Sequence, residues 1–160
     1  MSDSIVISIS PKNPKGNARR KEVQGLLAHA ARKNVSCEGV SALYRLEGRP
    51  DSGQIERIAR EILCDPVVEE SAVDDRPEKT CFFVDVWPKP GVSDPVGETV
   101  LKAIGDLGIK TVAKVTSGTR YAFSGNKAAL NGKTGVFAFE FASRELLNPL
   151  IQECKILQAL

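Results

Sequence analysis

The sequence predicts an α+β fold built from two successive β-α-β-α-β units, and three observations carry that expectation. First, Arg60-Glu61-Ile62-Leu63-Cys64-Asp65-Pro66-Val67-Val68-Glu69-Glu70 returns as Arg144-Glu145-Leu146-Leu147-Asn148-Pro149-Leu150-Ile151-Gln152-Glu153, one residue shorter, the difference absorbed at Cys64. Second, Ile7-Ser8-Ile9-Ser10-Pro11-Lys12 is echoed by Val84-Asp85-Val86-Trp87-Pro88-Lys89. Both echoes keep their order and lie about 80 residues apart, as in one unit written twice. Third, between the echoes the apolar spacing switches between the period of a strand and that of a helix.

In the first unit, Ile5, Ile7 and Ile9 alternate with Val6 and Ser8, which predicts a strand with one buried face. Pro11 and Pro14 stop it, because proline lacks the ladder donor. Val23, Leu26, Leu27, Ala30 and Ala31 make one apolar helical stripe, and His29 falls inside the same pattern. Residues 40–46 read as a second strand, stopped by Gly48 and Pro50. Asp51 or Ser52 can cap a second helix striped by Ile55, Ile58, Ala59, Ile62 and Leu63, which Asp65-Pro66 ends. Residues 67–73 complete the unit as a third strand.

The second unit opens with a strand over 81–87, where Phe82, Val84 and Val86 share a face. Asp94 is the expected N-cap and Pro95 the first residue of a helix striped by Val96, Val100, Ala103, Ile104 and Leu107. Gly108 suits its left-handed C-cap. Residues 112–123 are strand-like, with Gly118 read as a bulge. Residues 136–141 alternate like a strand, yet alignment with the first unit sets Phe139, Ala142, Ser143, Leu146 and Leu147 at helical spacing, so a helix is expected. The longer loop over 124–133 contains the turn-forming Asn131-Gly132. The units therefore cover residues 1–75 and 80–160, joined by a short polar linker over 74–79. Each is expected to be ferredoxin-like, a small antiparallel sheet with helices on one side. The two are expected to pack as a pseudo-dimer about a pseudo-twofold axis, burying their apolar sides together.

Net charge is +2 and neither half has the basic excess of a phosphate-backbone binder, so nucleic acid is not an expected partner. Arg19-Arg20-Lys21, the one local basic run, reads as a solvated helix face. Tyr44, Tyr121 and Trp87 do not form the aromatic platform of an RNA-binding sheet. No apolar run approaches the roughly 20 residues that span a bilayer, and Met1-Ser2-Asp3-Ser4-Ile5 lacks the features of a secretory signal. A cytoplasmic address is expected. Cys37, Cys64, Cys81 and Cys154 are widely separated and His29 is the sole histidine, so reduced, buried thiols are expected rather than a metal site or an activated nucleophile.

Gly132-Lys133-Thr134 ends like a phosphate loop, but the glycine needed five residues earlier is Lys127, which leaves a turn leading into a helix. Gly91 and Gly97 flanking Asp94-Pro95 have the composition of an anion nest, but glycine, aspartate and proline are also what a strand-to-helix turn requires, and a structural turn is the expectation. Arg45 and Arg120 stand at equivalent places late in the second strand of each unit, where alternation directs them to a polar face, toward solvent or a partner. The residues taken alone describe a binding or assembly module without catalytic residues.

The stretch 84–98, Val-Asp-Val-Trp-Pro-Lys-Pro-Gly-Val-Ser-Asp-Pro-Val-Gly-Glu, resembles the opening of the PurS family, the small subunit of phosphoribosylformylglycinamidine synthase. That family carries a strand, then Lys-Pro-Gly-Val-x-Asp-Pro-x-Gly, then a helix, and its units end in a sequence like 63–71 and 147–154. The tandem arrangement resembles the N-terminal domain of the fused large subunit. The first unit lacks the Gly-Val-x-Asp core. The resemblance implies a non-catalytic scaffold in purine biosynthesis that bridges the ATP-dependent synthetase and glutaminase parts and shields ammonia transfer. It implies that ATP and Mg are used by the partner synthetase, with no cofactor on this chain. On it, Lys89, Pro90, Gly91, Asp94, Pro95 and Gly97 are expected to form the partner-facing turn, with Arg120 second. Homo-oligomerisation stays open. The other function these residues suit is a tandem ferredoxin-like regulatory module binding a small metabolite between the units.

Overall fold

The computed structural model describes residues 3–29, 34–125 and 134–159. In chain order the elements are β1 (Ser4–Pro11), a 3₁₀ turn (Pro14–Gly16), α1 (Ala18–His29), β2 (Val35–Gly48) and α2 (Ser52–Ile58). A π-helical turn (Ala59–Leu63) extends α2 and leads to β3 (Glu69–Val73). The second half gives β4 (Cys81–Pro88), α3 (Pro95–Asp106), β5 (Val112–Gly125), α4 (Thr134–Phe141) with its own π-helical turn (Ala142–Leu146), and β6 (Gln152–Gln158). Ala30 and Ala31 of the α1 stripe, and the Asn131-Gly132 turn with Lys133, lie outside the described residues. So does Lys127.

The fold is α+β, with antiparallel strands in the order β3-β1-β2-β5-β4-β6. This is one six-stranded sheet, not two small sheets packed by their apolar faces. The reason lies in β2 and β5, each 14 residues long and paired from Val35 opposite Gly125 to Gly48 opposite Val112. Their neighbours β1 and β4 have only 8 residues. Pairing β2 with β5 satisfies the backbone groups on the edge of each strand that faces away from its shorter neighbour, and removes two exposed edges. Register shifts between Cys37 and Gly39, and between Glu47 and Gly48, break the alternation. That hid the first residues of β2 from sequence reading.

Gly118 is not a bulge; it pairs in register with Leu43. A Cβ there would lie 2.6 Å from the Trp87 ring and 2.7 Å from the Val86 carbonyl oxygen, so the glycine is needed for close approach. Registers also reset the internal equivalences. Ile7 faces Tyr44 as Val84 faces Tyr121, and Ser8 faces Leu43 as Asp85 faces Arg120. Arg120 therefore corresponds to Leu43, not to Arg45.

Helices cover one face of the sheet, and both apolar clusters draw on both halves. Val23 and Leu27 of α1 pack with Phe82, Val84, Phe123, Phe141 and Leu146. Val100 and Ile104 of α3 pack with Ile7, Ile9, Leu46, Ile58 and Ala59. Each fully buried aliphatic side chain is worth roughly 1.5–3 kcal/mol, so each half holds a share of the other's stability. His29 is exposed at the end of α1. Asp51 is the N-cap of α2 and forms a capping box with Gln54.

The two π-helical turns run into loops that match bond for bond. The Cys64 N–H donates to the Ala59 carbonyl, as Leu147 does to Ala142. The Asp65 carboxylate accepts from the Val67 N–H at 3.0 Å, and the Asn148 amide oxygen accepts from Leu150 at 3.1 Å. Glu69 and Gln152 then accept from the N–H groups of Asp65 and Asn148, each at 2.9 Å. Turn residues Val67 and Val68, expected in a strand, precede β3 and are exposed.

Candidate functional site

Six of the seven residues expected to face a partner lie together, in the β4–α3 turn. Lys89 is tied inward: its N–H donates to the Ile151 carbonyl at 2.9 Å and its ammonium to the Pro149 carbonyl at 2.6 Å. Lys12 makes the same two bonds, to Val68 and Pro66. Asp94 is the N-cap of α3, accepting from the Gly97 N–H at 3.0 Å, with Pro95 in the first turn. The Asp94 carboxylate also accepts from the Ser117 N–H and hydroxyl, both at 2.6 Å. Burial alone would push this carboxyl up, but the Ser117 and Gly97 donors outweigh it and hold the group below the usual carboxylate range. The same bond occupies the helix N-terminus, which an anion nest would need free. Gly97 lets α3 sit on β5, since a Cβ there would be 2.3 Å from the Val115 carbonyl oxygen.

What the turn leaves outward is Pro90, Gly91 (φ +84°), Pro95 and Val96, all exposed, beside exposed Leu150 and Ile151. A 240 Å³ depression lined by Val92, Asp94, Ser117 and Ile151 separates the two turns. A 410 Å³ depression on the other flank is lined by Arg45, Lys89, Glu98, Lys114 and Glu153. Ser117, Pro149 and Ile151 were missed as parts of this site. The echo of Asp65-Pro66 in Asn148-Pro149 was the available signal for the last two.

Arg120 does not join the turn and does not face solvent. It is 4% exposed on the helix-free face of the sheet. Its guanidinium donates to both carboxylate oxygens of Asp85, at 2.7 and 2.8 Å, and to Asp75 at 2.5 Å. Asp75 also accepts from the Ser8 hydroxyl at 3.1 Å. Asp74 (φ +47°) turns the linker onto this face, and Pro77 of the linker is buried. Burial would lower the Arg120 pKa, but Asp85 and Asp75 outweigh it and raise it. Alternation placed Arg120 on the correct face; the linker that covers it was not foreseeable from strand period. Arg45, on the same face, stacks on the Trp87 ring at 4.0 Å.

All four cysteines are free thiols. Burial pushes the Cys37 thiol up to about 11, so it stays protonated at neutral pH. Among the described residues no His, Cys, Asp and Glu side chains gather into a group that could hold a metal ion. Among them, too, no helix is long and apolar enough to cross a membrane.

A family model described as PurS, phosphoribosylformylglycinamidine (FGAM) synthase, matches residues 82–159. Residues 82–159 belong to the PurS family. The match begins at β4, contains the whole β4–α3 turn and ends just past β6, and it ties these residues to the family of FGAM synthase. No curated protein matches the chain.

Proposed function

We propose that the chain is a non-catalytic scaffold of phosphoribosylformylglycinamidine synthase, in the cytoplasm. It bridges the ATP-dependent synthetase part and the glutaminase part and shields ammonia as it passes between them. ATP and Mg are used on the synthetase, not on this chain. The family match over residues 82–159 carries the reading. The geometry supports it, because the β4–α3 turn is braced by Lys89 and Asp94 and leaves Pro90, Gly91 and Pro95 outward. A rigid, exposed turn loses little conformational freedom on docking. The first half is read as another PurS-like unit, forming a pseudo-dimer with the second half within one chain. Support for that comes from the strand order, which is the same outward from the β2–β5 pair in both directions, and from the matched Lys12 and Lys89 bonds.

The test uses the complex reconstituted with synthetase and glutaminase subunits, and the exposed substitutions Pro90→Glu and Val96→Glu. Co-elution on gel filtration and glutamine-dependent turnover should fall tenfold or more, while turnover with free ammonia persists. Unchanged glutamine-dependent turnover would remove the scaffold reading.

A further inference from the structure

We propose that the open edge of β3, with the groove beside it, receives an extended segment of a partner protein as a seventh strand. The segment carries aliphatic side chains at alternate positions and lysine or arginine between them. Among the described residues β3 ends the sheet, with β1 as its one neighbour. The Lys12 N–H donates to the Val68 carbonyl and the Asp74 N–H to the Val6 carbonyl, which fixes the phase of the ladder. Residues 68, 70, 72 and 74 therefore direct their backbone groups to β1, and Glu69, Ser71 and Val73 direct theirs to the empty side. Such an edge is a template for strand addition.

Over this edge lies a 640 Å³ groove floored by Ile55, Ala59, Cys64 and Val73. Val73 is 45% exposed although it points to the helix-covered side. The equivalent place in the second half is filled: Phe137 and Phe141 stack at 5.9 Å, and Phe137, Cys154 and Ile156 pack on the core there. Aligned through the two π-helical turns, Phe137 and Cys154 correspond to Gln54 and Ser71. Gln54 is held in the α2 capping box and accepts from the Thr111 hydroxyl at 2.8 Å, so it does not close the groove.

Charge selects the occupant. Glu56 and Glu69 line the groove beside Lys12 and Arg60. Lys12 is engaged by the Pro66 carbonyl, and Arg60 by Glu56 and Glu61. Glu70 has no ionic partner among the described residues, and alternation along β3 sets it on the face opposite the groove. An added strand with aliphatic groups toward the groove turns its intervening residues to that face, where cations complement Glu70. The site lies outside residues 82–159 and does not depend on the synthase reading.

The probe is an acetylated octapeptide of alternating valine and lysine, titrated into the ¹⁵N-labelled full chain; the control alternates valine and glutamate. Saturable shifts along β3, and amide exchange at Ser71 and Val73 slowed tenfold or more, are expected with the lysine peptide alone. Ser71→Pro removes an outward donor and should weaken binding at least tenfold without loss of the folded spectrum. Val73→Lys should do the same by charging the groove, and serves if the proline variant unfolds. Absent binding, equal binding of the glutamate peptide, or binding unaffected by both variants would overturn the proposal. So would a homodimer in sedimentation that Ser71→Pro or Val73→Lys dissolves, which would give the edge to a second copy.

Discussion

The two strand-to-helix junctions, residues 12–20 and 89–97, hold equivalent places and are built to different tolerances. Both cap the helix by the same bond: Asn17 accepts from the Arg20 N–H and Asp94 from the Gly97 N–H, each at 3.0 Å. Beyond the cap they diverge. Asp94 reaches across to Ser117 on β5, whereas the position equivalent to Ser117 in the first half is Val40, which pairs with Tyr121 as Ser117 pairs with Tyr44 and has no hydroxyl. Position 97 has no room for a Cβ, yet its counterpart is Arg20, whose Nε is buried without a partner. Local capping survives in both copies because it joins residues only three positions apart. Anchoring to the sheet needs a donor and a small residue in separate elements, and the first copy lacks both.

The widest divergence sits on the helix-free face, where Ser8 beside Leu43 in one half becomes Asp85 beside Arg120 in the other. Arg120→Leu leaves Asp85, 3% exposed, buried without its cation, and should destabilise by about 3–5 kcal/mol. Adding Asp85→Ser restores the identities of the first half and should recover more than half of that loss in urea unfolding. A double variant no more stable than the single one would mean that the pair is not a unit separable from Asp75. The next effect belongs to Gly97→Ala, which forces a methyl group against the Val115 carbonyl and should cost about 1–3 kcal/mol. Arg20→Ala at the counterpart should stay within about 0.5 kcal/mol. Equal costs at the two positions, by thermal unfolding, would erase the difference in anchoring.

Legibility in the sequence tracks the range of each interaction. The repeat, the helical stripes, the Asp94 cap and the helical nature of Thr134–Leu146 were legible, because each is written in a few adjacent residues. The aromatic run in α4 favours strand by propensity, and comparison with Ile55–Leu63 decided it correctly. The joining of β2 to β5 was not legible, because bulges at both ends broke the alternation that would have shown their length. Burial of Arg120 was hidden for a different reason: its carboxylate partners come from a neighbouring strand and from a linker whose path no periodicity encodes. Within the site, Lys89 reads as an outward cation in sequence and is an inward brace in the fold, since its acceptor is a carbonyl 60 residues away.

A reciprocal exchange of the two caps gives the finest resolution. Asp94→Asn keeps an acceptor for Gly97 but cannot accept from both Ser117 donors through two carboxylate oxygens, and should lose about 1 kcal/mol at pH 7. The folded-state pKa of Asp94 is depressed, so its contribution is present above the ordinary carboxylate value of about 3.9 and disappears as pH falls through the lower folded value. The gap between wild type and Asp94→Asn should therefore close in acid. Asn17→Asp should act with the opposite sign: a carboxylate at the N-terminus of α1, beside Arg19, Arg20 and Lys21, should gain about 0.3–1 kcal/mol at pH 7. That gain should shrink on acidification too, because protonation removes the charge that supplies it. Urea unfolding of both variants at pH 7 and near pH 3 reads the two signs directly. Losses of equal size in both variants would show that the two junctions respond to charge alike and that Ser117 adds nothing to the second.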